Sequence, residues 1–121
     1  MIDQIMHRQL ELQRESFGID PVNLSPADRA SYVQAMALAL HVEIDEALQE
    51  ISWKPWASGV WFNREAFIVE MIDALHFWVN MILVATPSPS VVLDAYMNKA
   101  AINAQRQADG YTGEKCPTCG R

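Results

Sequence analysis

The stretch Ala66-Phe67-Ile68-Val69-Glu70-Met71-Ile72-Asp73-Ala74-Leu75-His76-Phe77-Trp78-Val79-Asn80-Met81-Ile82-Leu83 decides how the chain is read. Its apolar residues surround a helical axis on nearly every side, and a helix that is apolar all round is expected to be buried. Glu70 and Asp73 stand one turn apart inside it, and Asn80 extends their stripe two turns further on. Desolvated carboxylates need a partner or a metal to offset their desolvation. Few cations lie near these positions, so a bound metal is the expected counter-charge. Extended to Ala85, the stretch is about as long as a membrane span. Each central carboxylate would cost about 2.5 to 3.5 kcal/mol on insertion scales, which argues against a membrane reading.

Working outward, apolar residues keep helical spacing and no segment alternates with period two, so the fold class is all-α. A first helix is expected from about Asp3 to Phe17, stopped by Gly18, with Asp20-Pro21 in a loop. Ser25 as N-cap, Pro26 at the first helical position and Asp28 in the first turn announce a second, running to about Ser52. The third covers about Asn63 to Val84. Ser90 is expected to cap a fourth that runs to about Asp109, where Gly110 stops it. Four helices with short connections read as a four-helix bundle-like domain.

At 121 residues the chain has room for one domain, and with half of its residues hydrophobic it is expected to fold. Nine Lys plus Arg against fifteen Asp plus Glu give a net charge of −6, the opposite of a duplex-binding footprint, so no nucleic acid is expected as a general partner. Both cysteines fall in the tail and the N-terminus lacks the regions of a signal peptide, so the expected location is cytoplasmic.

The second helix sets Glu43, Glu46 and Glu50 on one stripe. Taken alone this stripe reads first as a solvated face. With Glu70 and Asp73, the Glu43 and Glu46 pair offers two pairs of oxygen donors on neighbouring helices, a set that suits magnesium or manganese better than zinc. Lys99, Asn103 and Arg106 form a basic and amide stripe on the fourth helix, fit to hold an oligophosphate or to serve the helix dipole.

Glu43-x-x-Glu46, a gap of 23 residues, then Glu70-x-x-Asp73 resembles the signature of the all-α nucleoside triphosphate pyrophosphohydrolases, which include MazG-type enzymes and dimeric dUTPases. The dimeric dUTPase branch is the closer resemblance. It rests on Leu38 to Glu46, Trp53-Lys54-Pro55-Trp56, Glu70 to Phe77, and Lys99 to Gln107 with Gly110-Tyr111, in that order. The resemblance implies an all-α, oligomeric enzyme, a dimer or a dimer of dimers, with residues 1–111 as its domain and 112–121 as a tail. It implies magnesium, with manganese as a substitute, held by Glu43, Glu46, Glu70 and Asp73, and Glu46 orienting the attacking water. Lys54, Lys99, Asn103, Arg106 and Tyr111 become phosphate or sugar contacts, and Trp53 or Trp56 lines the nucleotide pocket, with Asn80 further along the stripe as a substrate contact. The implied reaction turns a (deoxy)nucleoside triphosphate into the monophosphate and pyrophosphate.

Dimeric dUTPases are longer and read uracil partly through a Gln followed four residues later by Asn on the first helix. Here Phe17 follows Gln13 at that distance and Gln13 follows Gln9. Gln13 and Phe17 remain the candidates for reading the base, with the base either uracil or a purine such as guanine, as in a short phage-type enzyme. His41 and His76 are read as packing or supporting groups. Cys116 and Cys119 in the tail resemble half of a zinc knuckle, to be completed across an oligomer, by a histidine, or left as free thiols. Two other functions fit parts of the pattern. One is a di-iron carboxylate bundle, for which Asp73-x-x-His76 supplies a single element; the other is a non-catalytic helical interaction module. An oligomer is also expected because so short a chain has little material to enclose the third helix and four tryptophans.

Overall fold

The computed structural model describes residues 1–114 and residue 118. It is helical as expected, with α1 (Ile2–Ser16), α2 (Pro26–Gln49), α3 (Arg64–Ala85) and α4 (Pro89–Ala108), and a 3-10 turn at Pro21–Asn23 in the first connection. Among the described residues there is no strand beyond one isolated antiparallel bridge, Ile51 to Phe62.

Local chemistry sets most of the helix ends. Ser25 Oγ accepts from the Asp28 N–H at 3.1 Å and donates to Asp28 Oδ2 at 2.8 Å, while Pro26 starts α2 without leaving a donor unsatisfied. Gly110, at φ +79, closes α4: its N–H reaches the Gln107 carbonyl at 3.1 Å and that of Tyr111 the Arg106 carbonyl at 2.9 Å. This is the paired bonding of a Schellman cap. Two expected boundaries move. Helix α4 begins at Pro89, so Ser90 lies inside the first turn and does not flank it. Helix α2 ends at Gln49 and not near Ser52, because residues 50 to 52 turn away to pair with 61 to 63. The Asn63 N–H donates to the Glu50 carbonyl at 2.9 Å and the Ser52 N–H to the Trp61 carbonyl at 3.1 Å, on either side of the Ile51–Phe62 bridge.

The chain forms two compact units, Met1–Pro89 and Ser90–Arg121. In the first, α2 and α3 make the most extensive helix pairing, and α1 and the 3-10 turn lie against α3. The core is thin: Met6, Pro21, Tyr32, Ala47, Ala74, Val79 and Leu83 are buried. A polar seam crosses it. Gln9 Nε2 donates to Asn80 Oδ1 at 2.7 Å, Asn80 Nδ2 to the Met36 thioether at 3.3 Å, and the Tyr32 hydroxyl to Gln13 Oε1 at 2.9 Å. No buried side-chain polar atom among the described residues lacks a partner, as cores require.

The expectation that α3 is enclosed all round is not met by the single chain. Ala74, Val79, Asn80 and Leu83 are buried, whereas Ile68, Val69 and Ile72 are about half exposed and Trp78 and Met71 also reach the surface. Helices α1 and α2 cover only part of its circumference. Helix α3 is the one helix among the described residues long and apolar enough to cross a membrane, and it carries Glu70, Asp73 and Asn80. In the second unit α4 buries no residue, with Tyr96 and Met97 more than half exposed.

Candidate active site

The pairing of α2 with α3 turns two stripes of carboxylates toward each other. Ligand oxygens of Glu43, Glu46 and Glu70 all lie within 4.8 Å of one another. Glu46 is exposed, while Glu43 and Glu70 are partly buried. Loss of water pushes the Glu43 carboxyl above the ordinary carboxylate range, reinforced by the charges of Glu46 and Asp73, a hydrogen bond with Glu46, and the charge of Glu70. Glu70 is raised in the same way, first by loss of water, then by the charges of Glu46 and Asp73, a hydrogen bond with Glu46, and the charge of Glu50. Glu46 is thus the hub of the cluster. Both its charge and its hydrogen bonding act on Glu43 and Glu70.

Asp73 stands beside the three, near enough for its charge to raise both Glu43 and Glu70. Its only ion-pairing neighbour among the described residues is His76, with Nδ1 3.7 Å from Asp73 Oδ1. His76 is about half exposed and stands beside Asp73, so it is not a packed core residue. His41 is exposed. No Lys or Arg pairs with any of the four acids among the described residues. All donors are hard oxygens, so the set fits magnesium or manganese.

Between α2 and α3 the rungs at 50 to 52 and 61 to 63 close a loop that presents Trp53, Lys54 and Trp56. The two indoles meet edge to face at 6.2 Å, and Lys54 Nζ lies 5.9 Å from the Trp53 ring centre. Trp56 is three-quarters exposed. A hollow of about 220 Å³ lies between this loop and the end of α2, walled by Leu48, Trp53, Lys54 and Trp61.

A larger cavity of about 430 Å³ runs between α1 and α3, one turn from Asp73. Ile5, Ile72, Leu75 and Val79 give it apolar walls, and Gln4, Arg8, Gln9 and His76 give it polar edges. A second hollow of about 240 Å³ shares Arg8, Gln9 and His76. Sequence reasoning did not single out Arg8 or Gln9, since only the packing of α1 on α3 brings them beside His76.

The remaining expected residues separate. Gln13 is buried and holds the Tyr32 hydroxyl, and Asn80 is buried and engaged by Gln9. Phe17 is exposed just past the end of α1. Lys99, Asn103, Arg106 and Tyr111 belong to the second unit, where Arg106 stacks 5.7 Å from the Tyr111 ring centre. Cys116 and Cys119 lie outside the described residues.

A family model described as dUTPase matches residues 1–92. The match takes in all four acids, the tryptophan loop and the α1–α3 cavity, and it ends just inside α4. No curated protein and no solved structure matches the chain.

Proposed function

Because the chain belongs to the dUTPase family of all-α proteins, we propose that it is a metal-dependent (deoxy)nucleoside triphosphate pyrophosphohydrolase. Substrate would be cut between the α and β phosphates, giving the monophosphate and pyrophosphate. The observation that carries this reading is the convergence of Glu43, Glu46 and Glu70 within 4.8 Å, with Asp73 alongside and no Lys or Arg paired with them among the described residues. Magnesium bound there, with manganese as a substitute, supplies charge neutralisation at the phosphates and acidifies a water.

The chain's own residues account for the rest. Glu43, Glu70 and Asp73 hold the cation side of the substrate. Glu46, the most open of the converging three, orients the attacking water and accepts its proton. Lys54, on the tryptophan loop, is a phosphate contact, and Lys99, Asn103, Arg106 and Tyr111 of the second unit offer phosphate- or sugar-binding chemistry. The base, uracil or a purine such as guanine, enters the α1–α3 cavity, whose apolar walls and few polar edges are the usual make-up of a small-molecule site. The enzyme works in the cytoplasm, of a host cell if the chain is phage-borne.

Incubation with each NTP and dNTP plus magnesium, with products resolved, tests the reading. Monophosphate and pyrophosphate from one favoured base are expected; orthophosphate release, or no turnover of any nucleotide, overturns it.

The half-exposed apolar face of α3 and the bare α4 also support an oligomer, a dimer or a dimer of dimers, since apolar patches of this extent are covered in stable proteins. Light scattering at micromolar concentration is expected to give at least twice the chain mass, and a 13.6 kDa particle alone contradicts it.

A further inference from the structure

Glu50 has no part in the chemistry above, yet it is tied to the acids from two sides. It closes α2 one turn past Glu46, and both its backbone and its side chain end on Asn63. The Glu50 carbonyl accepts from the Asn63 N–H at 2.9 Å, and Glu50 Oε2 accepts from Asn63 Nδ2 at 2.8 Å. Asn63 is in turn the N-cap of α3, its Oδ1 accepting from the Ala66 N–H at 3.4 Å. One residue at the end of α2 and one at the start of α3 are therefore joined twice, directly below the turns that carry Glu46 and Glu70. The Glu50 carboxylate is partly buried but is not one of the three that converge.

We propose that Glu50 is a positioning residue for the acidic site: through Asn63 it fixes the start of α3 against the end of α2 and so holds Glu70 opposite Glu43 and Glu46. The proposal rests on the metal reading given above. Carboxylates that converge without a cation repel one another, and that repulsion tends to splay the two helices at this end. A tie made before the cation arrives lowers the cost of assembling its ligands, which is the benefit of preorganisation in any binding site. Glutamine at position 50 keeps an oxygen for Asn63 Nδ2, whereas alanine keeps nothing. Serine at position 63 keeps a cap for α3 but loses the Nδ2 donor.

Manganese alone, titrated calorimetrically into the intact protein and three variants, tests this with no nucleotide or turnover involved. Glu50→Ala and Asn63→Ser should each weaken Mn²⁺ binding by about fivefold or more, the scale of one lost hydrogen bond, while Glu50→Gln stays within about twofold of the parent. Glu50→Gln falling with Glu50→Ala while Asn63→Ser binds normally would show that Glu50 acts through its charge, as a ligand, and overturns the positioning role. All three variants within about twofold of the parent, or any other ranking, overturns it as well. A parent protein that binds no Mn²⁺ removes the metal reading itself, and the positioning role with it. Helical circular dichroism of each variant separates loss of positioning from loss of fold.

Discussion

Asn80 and Glu70 sit ten residues apart on the same helix, and their surroundings answer them in opposite ways. Asn80 is buried with both ends of its amide engaged, one by Gln9 and the other by Met36. Glu70 is only partly buried, yet it feels the charges of Glu46, Asp73 and Glu50 and pairs with no basic group among the described residues. A neutral amide needs two hydrogen-bond partners, which neighbouring helices can supply. A cluster of carboxylates needs positive charge, and among the described residues no Lys or Arg pairs with this one. The amide seam is therefore satisfied by its own neighbours, whereas the acidic cluster is left with mutual repulsion, which is what the proposed metal reading addresses.

The largest effect expected from this contrast is on turnover. Glu46→Gln should lower the rate of nucleotide hydrolysis by at least about a hundredfold, as general-base losses do, and leave nucleotide affinity largely intact. Near-normal turnover in this variant, measured with saturating magnesium, removes Glu46 from the chemistry.

Next come two substitutions on α3 whose signs should differ. Asn80→Leu leaves the buried Gln9 amide without its acceptor and is expected to destabilise the protein by about 1 to 3 kcal/mol, in chemical denaturation without metal. Asp73→Asn relieves repulsion, so the metal-free protein should be as stable as the parent or melt higher. The same change should remove most of the stabilisation produced by magnesium plus a non-hydrolysable dNTP analogue. Loss of metal-free stability together with an intact ligand shift would break the comparison, because Asp73 would then be a satisfied structural acid.

The smallest effect is a pH trend. The Glu43 and Glu70 carboxyls titrate above their unfolded value of 4.5, so the folded state binds more protons than the unfolded state from about that pH up to their raised values. These two groups weaken the metal-free fold above that window, and the penalty is relieved as pH falls through it. Melting temperature should therefore rise modestly on mild acidification in the absence of metal. With magnesium present the trend should reverse, because protons then compete with the cation for the same oxygens. A metal-free protein that only loses stability from neutrality downward contradicts the repulsion inferred at the site.

What the sequence discloses follows the range of the interactions involved. The start of α2 was legible in Ser25, Pro26 and Asp28, and the end of α4 in Gly110, because each cap closes on residues a few positions away. The acids were legible because helical spacing alone puts Glu43 with Glu46 and Glu70 with Asp73 on common stripes. The true end of α2 was not, since Glu50 leaves the helix to meet Asn63 across the whole loop. The Gln9–Asn80 bond joins residues 71 apart and needs α1 docked on α3 before it exists. Asn80, read from its stripe as a substrate contact, is engaged by that bond, and the polar edge beside His76 comes from Arg8 and Gln9, which no local pattern marks.

The rungs that join residues 50 to 52 with 61 to 63 also bear on how the molecule comes together. Both acid pairs belong to one helical hairpin, closed by a short segment and local in the chain, the kind of unit that forms early and fast. The mutual repulsion of the carboxylates is then met when the two arms of the hairpin first dock, and not late in assembly. On the metal reading proposed above, a divalent cation present during refolding would lower that barrier and speed formation of the hairpin.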